Sequence, residues 1–90
     1  MELLPGQELI EAGVQDLLGG RETIPALIVS IGEPRLRALG LNLPDHLLKN
    51  PEHRLYELLA RDGSDSAHSR YNALIRRLVS FERAAACVSR

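Results

Sequence analysis

The chain has 90 residues, of which 44% are hydrophobic, with a formal net charge of −1 and a single cysteine. This length is typical of one small domain, and the small net charge excludes a global field that would draw the protein to nucleic acid or to an anionic membrane. One cysteine excludes an internal disulfide and fits a reducing compartment. No apolar run is long enough to span a membrane.

The kinds of apolar residue favour an all-α fold. They are mostly leucine and isoleucine, and aromatic residues make up only 3% of the chain. Such an aliphatic core suits packed helices better than a β-sandwich. We therefore predict a compact bundle of four to five helices that forms a single domain over residues 1–90. Because the N terminus lacks a signal-peptide pattern, we expect a cytoplasmic protein.

Two segments near the N terminus predict helices. Five apolar residues recur there at helical spacing: Leu9, Ile10, Val14, Leu17 and Leu18. They predict a first helix over residues 7–18, with Gly13 on its apolar face where a neighbouring helix approaches closely. The segment TIPALIVSIG (23–32) predicts a second, central helix, because Thr23 is a good cap and the segment is apolar nearly all round. A short buried strand is the alternative, although no other segment would pair with it.

Proline and glycine divide the rest of the chain. The elements follow in this order: a helix from Pro34 to Leu39, a connector over 41–51 with a helical turn at 44–48, a helix from Pro51 to Arg61, a turn over 62–66, and a last helix from Ser66.

The last helix carries most of the clustered basic charge. Its predicted apolar stripe consists of Tyr71, Leu74, Ile75, Leu78, Phe81 and Ala85. At about 100° per residue, Arg76 and Arg83 fall on one flank of this stripe, and Arg70 and Arg77 fall on the other. We expect these arginines to cover the edges of the core with their stems, and to face the acidic first helix if the two helices pack together. The four arginines are candidate binding residues.

Glu82 is the fifth candidate binding residue, because it falls inside the apolar stripe. No arginine lies three or four residues away to pair with it on the same helix. The interpretation we favour is that the stripe leaves the core there and Glu82 is solvated. The alternative is an ion pair with an arginine of another helix: Arg35, Arg37 or Arg54.

Few residues could carry chemistry. Four side chains could bind a metal ion, but their spacing does not match a zinc site: His46, His53, His68 and Cys87. Ser66 and Ser69 flank His68 without a group to orient it or a glycine-framed serine turn, and are better interpreted as helix-start residues. We therefore predict no enzyme, no metal and no cofactor.

The function that these patterns favour is a small helical binding or regulatory module that acts through protein–protein contacts, with a homodimer as one form of self-association. The alternative is a helix-turn-helix regulator over 23–39, with Arg35 and Arg37 on the second helix. That helix is only about six residues long and Glu33 stands at its start, so we do not expect nucleic-acid binding. An exposed apolar patch would favour the binding module. A continuous positive surface around 33–39 would favour the DNA-associated regulator, and a pocket lined by several polar side chains would favour an enzyme.

Overall fold

The computed structural model describes residues 4–45 and 47–88, with the backbone alone for Ser64, and contains five α-helices and no strand in these ranges. The helices are α1 (Gln7–Leu18), α2 (Ile24–Ile31), α3 (Glu33–Ala38), α4 (Pro51–Asp62) and α5 (Ser64–Val88). The predicted all-α class and the number of helices are confirmed.

The short helix α2 forms the centre of the molecule. Ala26, Leu27, Ile28 and Val29 are all fully buried, and α1 and α4 both pack against this helix. Its start is fixed by Thr23, whose Oγ1 accepts a hydrogen bond from the Ala26 amide at 3.2 Å. The helical interpretation of 23–32 is therefore confirmed and the strand alternative is wrong. Burial of each large apolar side chain stabilises the fold by about 1.5–3 kcal/mol.

The connector after α3 is held by side chains that bind its backbone. Arg37 donates from Nη2 to the Pro44 carbonyl at 2.8 Å, and the Leu48 amide donates to Ser30 Oγ at 3.3 Å. Residues 41–45 and 47–50 form no helix, so the helical turn predicted at 44–48 is wrong within the described residues. The backbone groups that such a turn would use are engaged by Arg37 and Ser30 instead.

The junction between α4 and α5 is shorter than the sequence suggested. Gly63 alone separates the two helices, and α5 begins at Ser64, two residues before the predicted start. Ser66 is already inside α5, where its hydroxyl donates to the Gly63 carbonyl at 3.3 Å. The predicted turn over 62–66 is therefore too long, because the backbone-bonding residues after Gly63 start a helix here rather than extend a loop.

The length of α5 determines what surrounds it. With 25 residues at about 1.5 Å each, this helix runs along most of the 40 Å longest dimension of the protein. The α4 helix has 12 residues and covers only the first half of α5. The second half is left to contact the α2–α3 corner on one side and the start of α1 on the other. No helix in the described part of the chain is both long and apolar enough to cross a membrane.

Candidate binding groove

An open, mainly apolar groove lies between α1 and the second half of α5. The two helices have different main partners, since α1 packs on α2 while α5 packs on α4. The opening between them has a volume of about 570 Å³. We call it the α1/α5 groove and define it by its lining residues: Leu4, Gln7, Ile10, Glu11, Val14, Gln15, Leu41, Asn42, Phe81, Ala85 and Val88.

The α1 wall of the groove follows from helical spacing. Ile10 is buried at the base and Val14, one turn further, is half-buried. Gln7 fixes the start of this wall, because its Oε1 accepts from the Leu4 amide at 2.9 Å and its Nε2 donates to Glu11 Oε1 at 2.8 Å. Leu18 continues the same stripe one turn beyond Val14 and is 61% exposed. The stripe predicted for α1 is thus wider than the surface that α2 covers.

The α5 wall of the groove is apolar, and its residues become more exposed towards the C-terminal end of the helix. Phe81 and Ala85 are buried, whereas Val88 is 71% exposed at the far end. At the near end the walls touch: a Cβ atom at Gly6 would lie 2.9 Å from the Arg77 carbonyl oxygen and 3.5 Å from Phe81 Cβ. Gly6 has a φ of 75°, a backbone conformation that glycine adopts at little cost. The chain can therefore enter α1 close against α5, with the groove beyond this contact.

The two walls carry charges of opposite sign at their outer edges. Glu8, Glu11 and Gln15 follow one another at i, i+3 and i+7 along the exposed edge of α1, and Arg77, Ser80 and Ala84 follow the same spacing along α5. Five charged residues on or near these edges take part in no ion pair among the described residues: Glu8, Glu11, Arg76, Arg77 and Arg83. The expected pairing of the α5 arginines with the acidic first helix therefore does not form, because α1 packs on α2.

The other predicted arginines lie away from the groove. Arg76 and Arg83, seven residues apart, share the outer side of α5 and are exposed. Arg70 lies at the other end of the helix, where its Nη1 is 3.7 Å from Asp62 Oδ2. Of the four candidate arginines, Arg77 is the one that stands one turn before Phe81, on the groove side of α5.

Glu82 contacts the α2–α3 corner rather than solvent. Its exposed fraction is 7%, and a Cβ atom at Gly32 would lie 3.3 Å from its Oε2. The interpretation of Glu82 as solvated is therefore wrong. Because Gly32 has no side chain, the Glu82 carboxyl group has room between α5 and the α2–α3 corner. Burial raises the pKa of the Glu82 carboxyl, and the positive charge of Arg35 partly opposes this rise.

A contact ion pair with Glu82 is also missing among the described residues. Arg37 is held by Glu33, with its Nε 2.6 Å from Glu33 Oε1. Arg54 donates from Nε to Glu22 Oε2 at 3.0 Å. Arg35 is the one candidate that acts on the Glu82 carboxyl, through its charge at longer range.

The remaining polar residues do not converge. His53 lies 3.2 Å from Glu57, and His68 Nε2 lies 3.2 Å from Asn72 Nδ2, both on exposed surfaces. His46 lies outside the described residues. Within the ranges that are described, no three histidine, cysteine or acidic residues are grouped as a metal site would require.

Comparisons of the chain with protein-family models, with curated proteins and with solved structures give no match. The α1/α5 groove and the charges along its edges are therefore the features from which a function can be inferred. Sequence reasoning missed this groove. The available signal was the width of the apolar stripe on α1, which includes both Val14 and Leu18 in addition to the residues that α2 buries.

Proposed function

We propose that this protein is a small helical binding module that acts through protein–protein contacts, with the α1/α5 groove as its docking site. The observation that carries the proposal is an apolar opening of about 570 Å³ between two helices that pack on different partners. Covering apolar surface of this kind is favourable, and for this reason exposed apolar patches often mark interaction sites.

The groove fits a partner that presents the apolar face of an amphipathic helix. In this mode of recognition, apolar side chains at positions i, i+3, i+4 and i+7 of the partner fill an apolar groove. Here Val14 and Phe81 supply apolar walls and Glu11 lines the α1 side. Glu8 stands about one turn before Glu11 on α1, and Arg77 stands about one turn before Phe81 on α5. A helical surface that is basic where it faces α1 and acidic where it faces α5 would meet complementary charge on both sides.

The predicted binding residues have different parts in this proposal. Arg77 contacts the partner directly at the edge of the groove. Arg76 and Arg83 add positive potential from the outer side of α5, an effect that decays over a Debye length of about 8 Å at physiological salt. Arg70 and Glu82 lie outside the docking site, since Arg70 faces Asp62 and Glu82 faces Gly32 at the α2–α3 corner.

The helix-turn-helix alternative over 23–39 has less support. The second helix of that unit, α3, has six residues, and a recognition helix has to project several side chains to base edges. Arg37 is engaged by Glu33 and by the Pro44 carbonyl. Arg35 is then the remaining arginine of α3 for DNA contact.

The cytoplasmic location belongs to the same proposal. It is supported by the single cysteine, Cys87, which is an exposed free thiol, a state that a reducing compartment maintains.

The docking proposal can be tested with a synthetic amphipathic peptide. The peptide has leucines at i, i+3, i+4 and i+7, lysines on one flank and glutamates on the other, and its control is a scrambled peptide of equal composition. Cys87 offers one attachment point for an environment-sensitive dye next to Val88. Because the labelled protein stays dilute while peptide is added, self-association does not compete.

We expect a saturable change in fluorescence with the amphipathic peptide and much weaker binding of the scrambled one. Val14→Asp and Leu41→Asp should each weaken the binding, because each places a charge in the apolar groove. Tyr56→Asp is the matched control, since Tyr56 is an exposed hydrophobic residue of α4 outside the groove. Equal binding of both peptides, or no effect of the two groove variants, would overturn the proposed function.

A further inference from the structure

We propose that the occupant of the α1/α5 groove is a second copy of this chain, in a two-fold dimer in which α1 of each copy lies on α5 of the other. This inference rests on the proposed function and names the partner. A two-fold interface uses the same surface on both subunits, so the surface has to be complementary to itself. The groove with its two edges has this property.

The charges along the two edges provide the first argument. The α1 edge is formed by Glu8, Glu11 and Gln15, and no lysine or arginine occurs within α1. The α5 edge is formed by Arg77, Ser80 and Ala84, and the acidic residue nearest to it along the helix, Glu82, is buried. When a second copy is turned about a two-fold axis, the acidic edge of each copy meets the basic edge of the other, and the favourable contact is made twice.

The shapes of the two edges provide the second argument. Ser80 and Ala84 are small, so a helix can approach the α5 edge closely, while Arg77 at the end of the row is long enough to reach its carboxylate partners. Helix packing distances depend on the size of the side chains at the contact. The long Glu8 and Glu11 side chains of one copy can therefore lie over the small residues of the other without displacing either helix.

The exposed apolar residues provide the third argument. Leu18 and Val88 are 61% and 71% exposed, and both continue the stripes that line the groove, at the end away from Gly6. A second copy that covers the groove and its far end would remove these two residues and the half-buried Val14 from water. A peptide-sized occupant limited to the groove would leave Leu18 uncovered.

The test is a charge swap followed by sedimentation equilibrium of the full chain. One variant combines Glu8→Arg with Glu11→Arg, and the other is Arg77→Glu. We expect the wild-type protein to dimerise and each variant alone to raise the dimer dissociation constant by about tenfold or more, because like charges then face each other twice. An equimolar mixture of the two variants should recover dimerisation as a one-to-one heterodimer.

Arg61→Glu is the matched control for Arg77→Glu, since it makes the same change of net charge at an exposed position of α4 outside the groove, and the dimer should keep its dissociation constant within about twofold. Circular dichroism establishes that each variant is folded. If a reversal variant is unfolded, the neutral changes Glu8→Gln with Glu11→Gln and Arg77→Gln take its place, with a smaller loss expected in each.

The outcomes separate this inference from the proposed function. A wild-type protein that stays monomeric at high concentration, while the groove still binds the amphipathic peptide, overturns the dimer and leaves the docking site intact. A dimer that neither reversal weakens, or whose mixed variants fail to associate, also overturns this arrangement of the helices. Loss of both dimerisation and peptide binding overturns both proposals.

Discussion

Gly13 of α1 lies so close to Val29 of α2 that a Cβ atom at position 13 would stand 2.5 Å from the Val29 Cγ2 atom, and it would also clash with the Pro25 carbonyl oxygen. We expect Gly13→Ala to lower the free energy of unfolding by about 2 kcal/mol or more, since overpacking between two backbones forces the helices apart. The gain in helix propensity of about 1 kcal/mol would offset only part of this loss. Denaturant titration measures the result.

Gly19→Ala is the control for this prediction. Gly19 has a right-handed φ of −82°, and the atom nearest to a Cβ there belongs to the exposed Arg21 side chain, at 3.2 Å. That flexible side chain can move, so the change in stability should stay within about 0.5 kcal/mol. Equal effects of the two substitutions would show that the α1–α2 contact is looser than described here.

The contact at Gly13 also shows which part of the fold is readable from the sequence. A glycine within a helical apolar stripe costs stability unless something approaches it closely, so the sequence predicts a neighbouring helix at that point. The apolar character of 24–31 on all sides likewise predicts that this helix is central. These inferences depend on one segment at a time, and both are confirmed.

Glu82 provides the second prediction, through the pH dependence of stability. Because burial raises the pKa of its carboxyl group, the folded state holds the proton more tightly than the unfolded state does. The free energy of unfolding therefore falls as the pH rises from the ordinary glutamate pKa through the higher pKa of the folded state, and it stays lower above that range. Glu82→Gln should remove this decrease and stabilise the protein at neutral pH by an amount on the order of 1 kcal/mol.

Urea titrations between mildly acidic and neutral pH measure this effect. Glu52→Gln is the matched control, because it makes the same chemical change at an exposed position of α4, so the difference between the two variants reports the burial of Glu82. Arg35→Ala should act in the opposite direction to Glu82→Gln, since it removes the charge that opposes the pKa rise of Glu82. If wild type and Glu82→Gln lose stability equally over this pH range, the carboxyl group is solvated after all.

The burial of Glu82 and the position of the groove between α1 and α5 could not be read from the sequence for the same reason. Each depends on how two distant elements are placed: Gly32 opposite Glu82 in the first case, and α1 on α2 rather than on α5 in the second. The apolar stripe of α1 is compatible with either helix as its partner. The pattern of a single helix gives its buried face but not the identity of the surface that buries it.

The third prediction concerns the link between α1 and α2. Thr23 Oγ1 donates to Asp16 Oδ2 at 2.6 Å, and Arg21 Nη2 donates to Asp16 Oδ1 at 3.0 Å. The Thr23 hydroxyl, followed by Arg21, holds the pKa of Asp16 below its ordinary value. Thr23→Ala should raise the pKa of Asp16, as followed by the carboxyl carbon shift in an NMR titration, and should cost about 1 kcal/mol of stability through loss of the α2 cap.

Arg21→Gln is the comparison, and it should also raise the pKa of Asp16, because it removes a positive charge from beside the carboxylate. The stabilising effect of Asp16 is present above the ordinary aspartate pKa and is lost as the pH falls through the lower pKa of the folded state. The stability difference between wild type and Thr23→Ala should therefore become smaller in acid. An unchanged pKa of Asp16 in Thr23→Ala would mean that the hydroxyl hydrogen bond does not hold this pKa below its ordinary value.

The last prediction concerns nucleic acid and the arginines of α5. Arg76 and Arg83 lie on the outer side of the helix and Arg77 on the groove side, so no single face collects them. Nucleic-acid binding usually requires a basic cluster on one face, and single-stranded sites add aromatic platforms; the chain has one phenylalanine and no tryptophan. We expect weak duplex binding at low salt that disappears near physiological salt, as counterion release predicts for a few phosphate contacts.

The measurement is a duplex titration at both salt concentrations with wild type, with Arg76→Ala combined with Arg83→Ala, and with Arg35→Ala. Sub-micromolar binding that survives at physiological salt and falls in the Arg76 and Arg83 double variant would contradict the prediction and assign these arginines to nucleic acid. A selective loss in Arg35→Ala would instead favour the helix-turn-helix alternative, because Arg35 is the arginine that α3 leaves exposed.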